Sequence, residues 1–498
     1  MANLIVDNLI SQFSSPLNYN INEIAIVLAA GHGKRIKSKT SKMLHRIWGV
    51  TTVERVYNAC KKAVSDINMV FVVGIKADSV ITELGKKPNT TYAFQEEQKG
   101  TGHAVQVALE KIDFNLFDGI IYVLPGDMGL LNSETVDLFR KKFINSNYDM
   151  MVLTGIYEGD VNENQYGRII RAKDFDIDGK PCPDLVGNVI QIIEHKDILA
   201  LPDNQPYIVE YKGHKFSYRK QELIENREFN SGVYAFKSAP LKKLIYYLNT
   251  NNAQNEIYIT DLIDLFNKNN YTVGAVSPAE QYVLIGFNNK AVLKEMEKIA
   301  REKAYNLLKN IIEIEDPDDF FIDETVIEQI IELDKKGMPL DIFIGKGVHI
   351  GKGVQLTYNN TFKKNAFLNG NIVLGENVTI YENALLSCYP NQKLIVGNNV
   401  EILWGDLIKG NIIIGDNTRI ESSVNVTGSD EFPTRIGKNV LIKGTSYIFG
   451  SIIEDDIFIE HSVLIKKRVE RVVRKNGEVQ PVMFYLPTPK GIDVISDL

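Results

Sequence analysis

Short apolar runs alternate with amphipathic segments over the first 290 residues. The runs IAIVLAA (24–30), NMVFVVG (68–74) and IIYVLPGD (120–127) are seven or eight residues long, whereas TTVERVYNACKKAV (51–64) spaces its apolar positions with a helical period. Buried apolar runs that are separated by helices are typical of a largely parallel sheet covered on both faces. The pattern therefore predicts an α/β domain with a mixed, mostly parallel sheet.

A long helical pattern without glycine or proline covers residues 290–311. Its apolar side chains fall near one stripe, which predicts an amphipathic helix that links two domains. The segment EDPDDFF (315–321) then ends the helical pattern. The predicted stripe consists of Val292, Met296, Ile299, Ala300, Leu307 and Leu308.

Residues 344–465 repeat an aliphatic residue every six positions, usually followed by glycine and a turn former. This spacing is the hexapeptide pattern of a parallel β-helix, in which each coil points its aliphatic side chains inward. Six recurrences argue against an ordinary β-rich domain with coincidental spacing. The segments SCYPNQK (387–393) and GSDEFPT (428–434) predict loops inserted between coils. The six copies lie at 344–356, 374–386, 396–408, 414–426, 436–448 and 453–465.

The two ends of the chain follow neither pattern. Residues 1–22 precede the first strand and have no assignable role, while RKNGEV (474–479) predicts a hairpin with a two-residue turn. Six basic residues between 466 and 475 form a solvated strand face, or they touch an anionic ligand or an adjacent subunit. The predicted regions are an N-terminal extension (1–22), the α/β domain (23–289), a linker helix and connection (290–340), the β-helix (341–465) and a C-terminal tail (466–498).

Composition and charge narrow the class of protein. A chain of 498 residues is too long for one core, and its net charge of −7 argues against nucleic acid as a partner. The three cysteines lie far apart in no metal-ligand spacing, and their odd number suits a reducing compartment. The segment MANLIVDNLISQF has no basic leader, and no apolar stretch approaches the roughly 20 residues that span a bilayer. We therefore expect a cytoplasmic protein without a membrane partner.

A basic segment that contains glycine, LAAGHGKRIKSKTSKML (28–44), follows the first apolar run. Glycines after a buried strand let backbone N–H groups approach an anion without Cβ atoms in the way. The segment is not a Walker loop, because it lacks the pattern G-x-x-x-x-G-K-[ST]. It is not a dinucleotide fingerprint either, because Ile36 stands where the third glycine of that motif belongs. It indicates a phosphate loop with the fixed charges of Arg35 and Lys42, and a solvated basic surface loop is the alternative.

Seven further segments decide between these two interpretations. With FQEEQKGTGHAV (94–105), VLPGDMGLL (123–131), YGRIIR (166–171), IIEHKD (192–197), FNSGVYAF (229–236), NNAQNEIYITDLI (251–263) and GFNNKAVL (286–293), the chain resembles the bacterial N-acetylglucosamine-1-phosphate uridyltransferase family. Each segment is weak evidence by itself, but all occur in the family's order and precede a long helix and a hexapeptide β-helix. The resemblance implies a Rossmann-like nucleotidyltransferase domain followed by a left-handed parallel β-helix.

The resemblance also implies a reaction. A sugar-1-phosphate oxygen attacks the α-phosphate of UTP in line and releases pyrophosphate, giving UDP-N-acetylglucosamine, a cell-wall precursor. Such transfers depend on positioning and charge neutralisation more than on covalent help from the protein. Arg35 would stabilise the departing pyrophosphate, and Lys42 would bridge the phosphates of both substrates. The backbone that would hold the nucleotide phosphates belongs to Ala30, Gly31 and Gly33.

Family resemblance assigns the metal, uracil and sugar contacts as well. Asp127 and Asn288 would bind Mg²⁺, which prefers oxygen ligands and completes its shell with water and phosphate. For Asp127 alone, a helix cap or turn residue is the alternative. Gln95, Gly100 and Thr101 would read uracil, or they belong to a polar loop that caps a helix. The sugar contacts would be Gly167, Glu194, Asn230, Tyr258 and Thr260, of which a buried Glu or Asn serves equally as a structural capping residue.

The chain departs from the family at several positions. Ser41 replaces the proline before the lysine, Pro125 replaces a tyrosine before Gly-Asp, Gly129 replaces a proline, and Asn255 replaces the glycine of Asn-Ala-Gln-Gly-Glu. Pro125 and Asn255 leave the sugar specificity open.

The β-helix of the bifunctional family members carries an acetyltransferase. Its marks include a histidine ahead of Tyr-x-Gly-Asp and an Asn-Tyr-Asp-Gly segment, and this sequence has neither. We therefore predict no acetyltransferase activity, and a β-helix that assembles a homotrimer.

Two other functions stay open: a pyrophosphorylase of the same fold that acts on another sugar phosphate or nucleotide, and a non-catalytic regulatory subunit that binds sugar nucleotides. The segments GTGHA and EHKD favour N-acetylglucosamine-1-phosphate and UTP, and the presence of Arg35, Lys42, Asp127 and Asn288 argues against a non-catalytic subunit.

Overall fold

A computed structural model describes residues 2–31, 36–287 and 289–487, with side chains from residue 4 onward. The chain forms two compact units, Met1–Met296 and Glu297–Leu498. The predicted architecture is confirmed: the first unit is an α/β domain, and the second is a left-handed parallel β-helix.

A nine-stranded mixed sheet forms the centre of the first unit, with the strand order β9-β5-β8-β4-β1-β2-β3 and with β6 joining β8 to β7. Strands β4, β1, β2 and β3 run parallel, as do β5 and β9, whereas β8 is antiparallel to β4, β5 and β6. The strands in chain order are β1 (Glu23–Ala29), β2 (Asn68–Val73), β3 (Thr90–Phe94), β4 (Ile120–Pro125), β5 (Met150–Ile156), β6 (Arg168–Arg171), β7 (Val189–Ile193), β8 (Glu228–Lys237) and β9 (Val273–Val276).

Both faces of this sheet are buried, which explains why β1 and β2 read as continuous apolar runs. Ala25 and Val27 of β1 pack into one core cluster, while Ile24 and Ile26 pack into a second one on the other face. Successive side chains of a strand point to opposite faces, so helices must cover both. The helices of this unit are Ala2–Phe13, Thr52–Ala63, Ala77–Leu84, Thr101–Leu109, Ser133–Ile144, His195–Ala200, Lys220–Glu225, Ser238–Leu244 and Leu262–Lys268.

Shorter elements complete the unit. A hairpin of Tyr207–Tyr211 and His214–Tyr218 packs on a third, smaller core cluster, and Arg46–Ile47 pairs with Val50–Thr51. The N-terminal extension is the helix Ala2–Phe13, whose Val6 is buried in the main core. The 3₁₀ turns are Lys42–Leu44, Val161–Glu163, Ile245–Tyr247, Ile259–Asp261 and Gln281–Leu284.

The helix Lys290–Leu308 spans the boundary between the two units. Its buried stripe has a period of four: Met296, Ala300, Ala304 and Leu308 are at most 8% exposed. The prediction that Leu307 belongs to the stripe is wrong, since this side chain is 56% exposed. In an α-helix each residue turns by about 100°, so a one-residue error moves a side chain off the buried face.

Three parallel sheets of nine, eight and seven short strands make up the β-helix. Each rung stacks an inward aliphatic or aromatic side chain on the next, as in the fully buried column of Ile344, Phe362, Ile380 and Ile402. A helix, Glu324–Asp334, lies between the first strands. The nine-stranded sheet contains Glu313–Ile314, Phe343–Ile344, Thr361–Phe362, Thr379–Ile380, Glu401–Ile402, Arg419–Ile420, Leu441–Lys443, Phe458–Glu460 and Val482–Met483.

The other two sheets have the same parallel stacking. The eight-stranded sheet contains Phe321–Ile322, His349–Ile350, Phe367–Asn369, Leu385–Ser387, Leu407–Gly410, Asn425–Gly428, Tyr447–Phe449 and Val463–Ile465. The seven-stranded sheet contains Val354–Gln355, Ile372–Leu374, Leu394–Val396, Ile412–Ile414, Thr434–Ile436, Ile452–Ile453 and Arg468–Val469.

Asparagines at one corner of successive coils adopt the left-handed conformation. Asn377, Asn399, Asn417 and Asn439 have φ between 55° and 58°, and their side chains hydrogen-bond in a ladder with N–O distances of 2.9–3.1 Å. Asparagine tolerates this conformation better than other residues with a side chain. The turn formers of the hexapeptide pattern therefore both bend the chain and connect the coils.

Deviations from the repeat lie where loops were predicted. The segments 388–393 and 429–433 separate consecutive strands, and Asn391 Nδ2 donates a hydrogen bond to Asp430 Oδ2 at 2.5 Å, which connects the two loops. The hairpin near residue 476 also forms, with Val473 bridging Val479. Its turn has three residues rather than the predicted two, because Arg474 N donates to the Glu478 carbonyl and Gly477 (φ +87°) takes the left-handed position.

The tail does not leave the β-helix at residue 465. Arg468–Val469 and Val482–Met483 extend two of the sheets. All six basic residues of 466–475 are exposed, in agreement with a solvated face. No helix in the described part of the chain is long and apolar enough to cross a membrane.

Candidate active site

The carboxyl ends of the parallel strands meet at one edge of the sheet and form a cleft. Gly31 follows β1, Gln95 follows β3 and Asp127 follows β4, so segments distant in sequence come together there. The cleft has a volume of about 540 Å³, a size that suits a nucleotide-sized ligand. Ten residues predicted from the sequence line it: Ala30, Gly31, Lys42, Gln95, Gly100, Thr101, Asp127, Glu194, Asn230 and Thr260.

An ion pair joins two charged residues of the cleft. Lys42 Nζ contacts Asp127 Oδ2, and the side chains are only 11% and 15% exposed. The lysine lies on the 3₁₀ turn Lys42–Leu44, and its Nζ is 5.4 Å from the centre of the Phe287 ring. A Cβ at Gly286 would lie 3.3 Å from Asp127 Oδ2, so this glycine leaves room at the carboxylate.

The candidate base-reading segment is held by its own hydrogen bonds. Gln95 is 3% exposed, and its Nε2 lies 3.1 Å from both the Gly100 carbonyl oxygen and His103 Nδ1. Gly100 has φ +110°, and a Cβ there would lie 2.5 Å from the Ile257 carbonyl oxygen. Thr101 begins the next helix, and its Oγ1 accepts a hydrogen bond from Ile259 N. Any side chain at position 100 would therefore displace this loop.

Glu194 follows β7 at the opposite end of the cleft. Burial raises the pKa of its carboxyl group to about 7, and the negative charges of Asp197 and Asp261 add to the effect. The Thr260 hydroxyl and the Arg168 guanidinium act in the opposite direction and lower the pKa. The Glu194 carboxyl group therefore resists ionisation more than an exposed glutamate does.

Asn230 lies at an irregularity of β8, where the register with β5 shifts between Asn230 and Val233. Its Nδ2 donates to Tyr234 Oη at 2.7 Å, and its Oδ1 accepts from Gly232 N at 3.0 Å. A break in strand pairing commonly redirects a side chain next to a binding site. Here it directs the amide into the cleft.

Some predicted residues do not line the cleft. Gly167 lies next to Glu194, since a Cβ at position 167 would be 3.1 Å from Glu194 Oε1. Tyr258 is 6% exposed, and its hydroxyl accepts a hydrogen bond from Gln254 Nε2. Gly33, Arg35 and Asn288 lie outside the described residues.

Sequence reasoning missed several polar residues of the cleft. Gln98, Tyr234 and Glu256 line it, although each belongs to a segment that the sequence had already singled out. His103 is also placed in contact with Gln95, so it positions a cleft residue. The one sequence signal for these residues was their place within the quoted segments, because a motif does not show which of its side chains face the ligand.

The departures from the family pattern have local explanations. Ser41 has φ −56°, a value that proline also adopts, and Asn255 has φ +53°, the left-handed region that a glycine enters freely. Pro125 ends β4 and faces Gly232, where a Cβ would lie 2.9 Å from the proline Cγ. A Cβ at Gly129 would lie 2.4 Å from Ile47 Cδ1, so a small residue is needed there.

Comparison with known proteins defines the class of the first unit. Residues 25–169 match the model of the MobA-like NTP transferase domain. This range contains β2 to β5 and most of β1, together with the cleft residues Gly31, Lys42, Gln95 and Asp127. Over this range the chain is similar to a MobA-like NTP transferase domain.

Longer matches confirm the resemblance that the motifs predicted. The chain is 34% identical over 307 residues to the bifunctional protein GlmU of Acetivibrio thermocellus, covering 61% of this chain and 57% of that protein. It is 32% identical over 326 residues to the bifunctional protein GlmU of Clostridium tetani, covering 65% of this chain and 62% of that protein. The GlmU of Lactobacillus gasseri is 34% identical over 307 residues, with 61% and 58% covered. The chain thus spans less than two thirds of the length of these relatives.

Proposed function

We propose that this protein is a Mg²⁺-dependent uridylyltransferase that converts UTP and N-acetylglucosamine-1-phosphate to UDP-N-acetylglucosamine and pyrophosphate. The observation that carries the proposal is the cleft at the carboxyl edge of the sheet, where ten predicted residues from segments far apart in sequence meet. The similarity to GlmU proteins supports the choice of sugar and nucleotide.

Charge placement in the cleft suits phosphoryl transfer. The Lys42 ammonium and the Asp127 carboxylate lie, with Gly31, in the part of the cleft that we assign to the phosphates. Lys42 would move from Asp127 to the substrate phosphates, because an ammonium group binds phosphate as a point charge. Positioned charge of this kind supplies most of the catalysis in phosphoryl transfer.

The residues at the phosphate end fit a magnesium ion. Asp127 offers a carboxylate oxygen in a polar cleft, and Gly286 leaves open space beside it. Mg²⁺ retains several waters and binds substrate phosphates, so one carboxylate and the Asn288 amide suffice as protein ligands. Bound there, Mg²⁺ would neutralise charge on the nucleotide phosphates.

At the other end, Glu194 and Asn230 would bind the sugar hydroxyls. The raised pKa of Glu194 makes its carboxyl group either a donor or an acceptor near neutral pH, while the Asn230 amide offers both functions. The attacking sugar-1-phosphate is already anionic, so the reaction needs no strong base. The histidines of the chain therefore have no required proton-transfer role.

A coupled assay for pyrophosphate tests the proposal. Wild-type protein with Mg²⁺, UTP and N-acetylglucosamine-1-phosphate should release pyrophosphate, and Asp127→Ala and Lys42→Met should each lower kcat/KM by at least about 100-fold. Lys39→Met is the matched control, because Lys39 belongs to the same segment and its side chain is exposed. It should leave kcat/KM within about twofold.

A panel of substrates separates the alternatives. Faster turnover of another sugar-1-phosphate or another nucleotide would replace the proposed substrates but retain the reaction class. Absence of pyrophosphate with every pair, together with calorimetric binding of UDP-N-acetylglucosamine, would instead support the non-catalytic regulatory subunit.

A further inference from the structure

Three potential metal ligands converge outside the cleft, in the small core cluster that carries the hairpin Tyr207–Tyr211/His214–Tyr218. Cys182 Sγ lies 3.3 Å from His214 Nδ1, which in turn lies 2.7 Å from Asp176 Oδ2. The three ligand atoms lie within 4.8 Å of one another. Among the described side chains, this is the one such group of three His, Cys, Asp or Glu residues.

Backbone hydrogen bonds fix the position of Asp176. Its Oδ1 accepts from the amides of Asp178 at 3.1 Å and Lys180 at 2.9 Å, within a tight turn. The second oxygen, Oδ2, is thereby left to face His214. The Asp176 side chain is only 7% exposed, so water does not compete freely for that oxygen.

The other two residues are held equally well. Cys182 N donates to the Asp174 carbonyl at 2.8 Å, and the Cys182 side chain is 3% exposed. His214 begins the second strand of the hairpin, next to Lys215, whose carbonyl accepts from Ile177 N at 2.9 Å. The ligand atoms therefore belong to segments already aligned by main-chain contacts, and little ordering would accompany metal binding.

We propose that Asp176, Cys182 and His214 form a zinc site. A thiolate, an imidazole and a carboxylate are the three ligand types that Zn²⁺ takes in proteins, and tetrahedral coordination leaves a fourth position for water. The thiolate and the carboxylate together neutralise the charge of the ion, which suits a partly buried place. The imidazole is 18% exposed, which leaves solvent access for the fourth ligand.

One imidazole nitrogen faces both of the other side chains. His214 Nδ1 lies near Asp176 Oδ2 and Cys182 Sγ, but a ring nitrogen carries at most one hydrogen and donates to one of them. The Cys182 thiol donates to the Lys180 carbonyl oxygen, with an Sγ–O distance of 3.4 Å. A single Zn²⁺ would bind all three atoms after small movements of the side chains.

Zinc would connect two parts of the first unit. Asp176 and Cys182 lie on the connection between β6 and β7, whereas His214 lies on the hairpin that follows β7. None of the three lines the cleft, so the site is separate from the proposed reaction. The sequence alone hides it, because 31 residues separate Cys182 from His214.

Metal content of the full chain tests the proposal. The protein should retain one zinc per chain after dialysis against Zn²⁺ and then against metal-free buffer, measured by mass spectrometry of the elements. Cys182→Ser and His214→Ala should weaken zinc affinity at least about tenfold, since removal of even an outer-shell partner costs 10- to 100-fold. Cys388→Ser is the matched control, because Cys388 is a half-buried cysteine of the second unit, and it should retain the zinc.

Two spectroscopic and chemical readouts keep the test informative if a variant misfolds. Cobalt-loaded wild-type protein should show a thiolate-to-metal charge-transfer band, and Zn²⁺ should slow alkylation of Cys182 at least tenfold in wild-type protein, as followed by peptide mass spectrometry. Absence of retained zinc, or alkylation of Cys182 at the same rate with and without Zn²⁺, would overturn the proposal. Equal zinc retention by wild type and Cys182→Ser would also overturn it.

Discussion

Glu194→Gln should make the first unit more stable than wild type, by an amount that grows with pH. In the unfolded chain the carboxyl group ionises with a pKa near 4.5, whereas in the folded protein it holds its proton up to about pH 7. The folded state therefore loses stability as the pH rises from 4.5 to about 7, and the loss is complete above that range. Glutamine has nearly the same shape but does not ionise.

The magnitude follows from the two pKa values. A rise from 4.5 to about 7 corresponds to a free-energy difference of about 3 kcal/mol, of which about 2 kcal/mol falls between pH 5.5 and pH 8. The cause is chiefly burial, with contributions from Asp197 and Asp261. The gap between Glu194→Gln and wild type should thus widen by about 2 kcal/mol over this range.

The two tryptophans allow the measurement to be confined to one unit. Trp48 is 3% exposed in the first unit, and Trp404 is 57% exposed in the second. In a Trp404→Phe background, the fluorescence of Trp48 reports urea unfolding of the first unit alone. Glu158→Gln is the control, because Glu158 is exposed and its substitution should shift unfolding equally at both pH values.

An equal gap between Glu194→Gln and wild type at pH 5.5 and pH 8 would refute the reasoning. It would mean that water reaches the carboxyl group, so that burial does not oppose its ionisation. A gap that widens for Glu158→Gln as well would assign the pH dependence to the whole unit instead of Glu194.

Four other predictions follow from the same structure. Gly100→Ala should destabilise the first unit by about 1–3 kcal/mol and raise KM for UTP, because a Cβ would meet the Ile257 carbonyl oxygen. Gly85 also has a positive φ, but a Cβ there would meet nothing within 4 Å, so Gly85→Ala should lower the melting temperature less than Gly100→Ala. Burial raises the pKa of Asp406 to about 8, so the stability gained by Asp406→Asn over wild type should grow as the pH rises from 4 to 8, followed through Trp404 fluorescence in a Trp48→Phe background. We predict that the β-helix assembles a homotrimer, so light scattering should give three times the chain mass; the mass of a single chain would contradict this. The protein should release no free CoA thiol from glucosamine-1-phosphate and acetyl-CoA. Release of the thiol as fast as the uridylyltransferase assay releases pyrophosphate would contradict the predicted lack of acetyltransferase activity.

Local pattern was enough to predict both architectures. The two-faced burial of β1 follows from a continuous apolar run, and the coils of the β-helix follow from an aliphatic residue at every sixth position. Both signals depend on residues within a few positions of each other. The Leu307 error shows the limit of this reasoning, because a helical stripe is set by what covers the helix and not by hydrophobicity alone.

The order of the motifs likewise predicted many of the residues that line the candidate cleft. For Gly31, Gln95 and Asp127 it did so because their segments follow parallel strands, whose carboxyl ends meet at one edge of the sheet. The motifs did not show that Gln98 and Glu256 also line the cleft, nor that Tyr258 does not. Which side chain of a segment faces the ligand depends on backbone directions that only the fold defines.

The amino-acid sequence by itself determined the repeat, the strand and helix pattern and the set of charged residues that meet in the cleft. Only the tertiary structure decided that Lys42 pairs with Asp127, that burial raises the pKa of Glu194, and that Cys182 meets His214. The physical reason is the separation along the chain of the residues that set each property. Backbone periodicity is a local property, whereas desolvation and pairwise contacts depend on every segment that packs around a group, however distant it is along the chain.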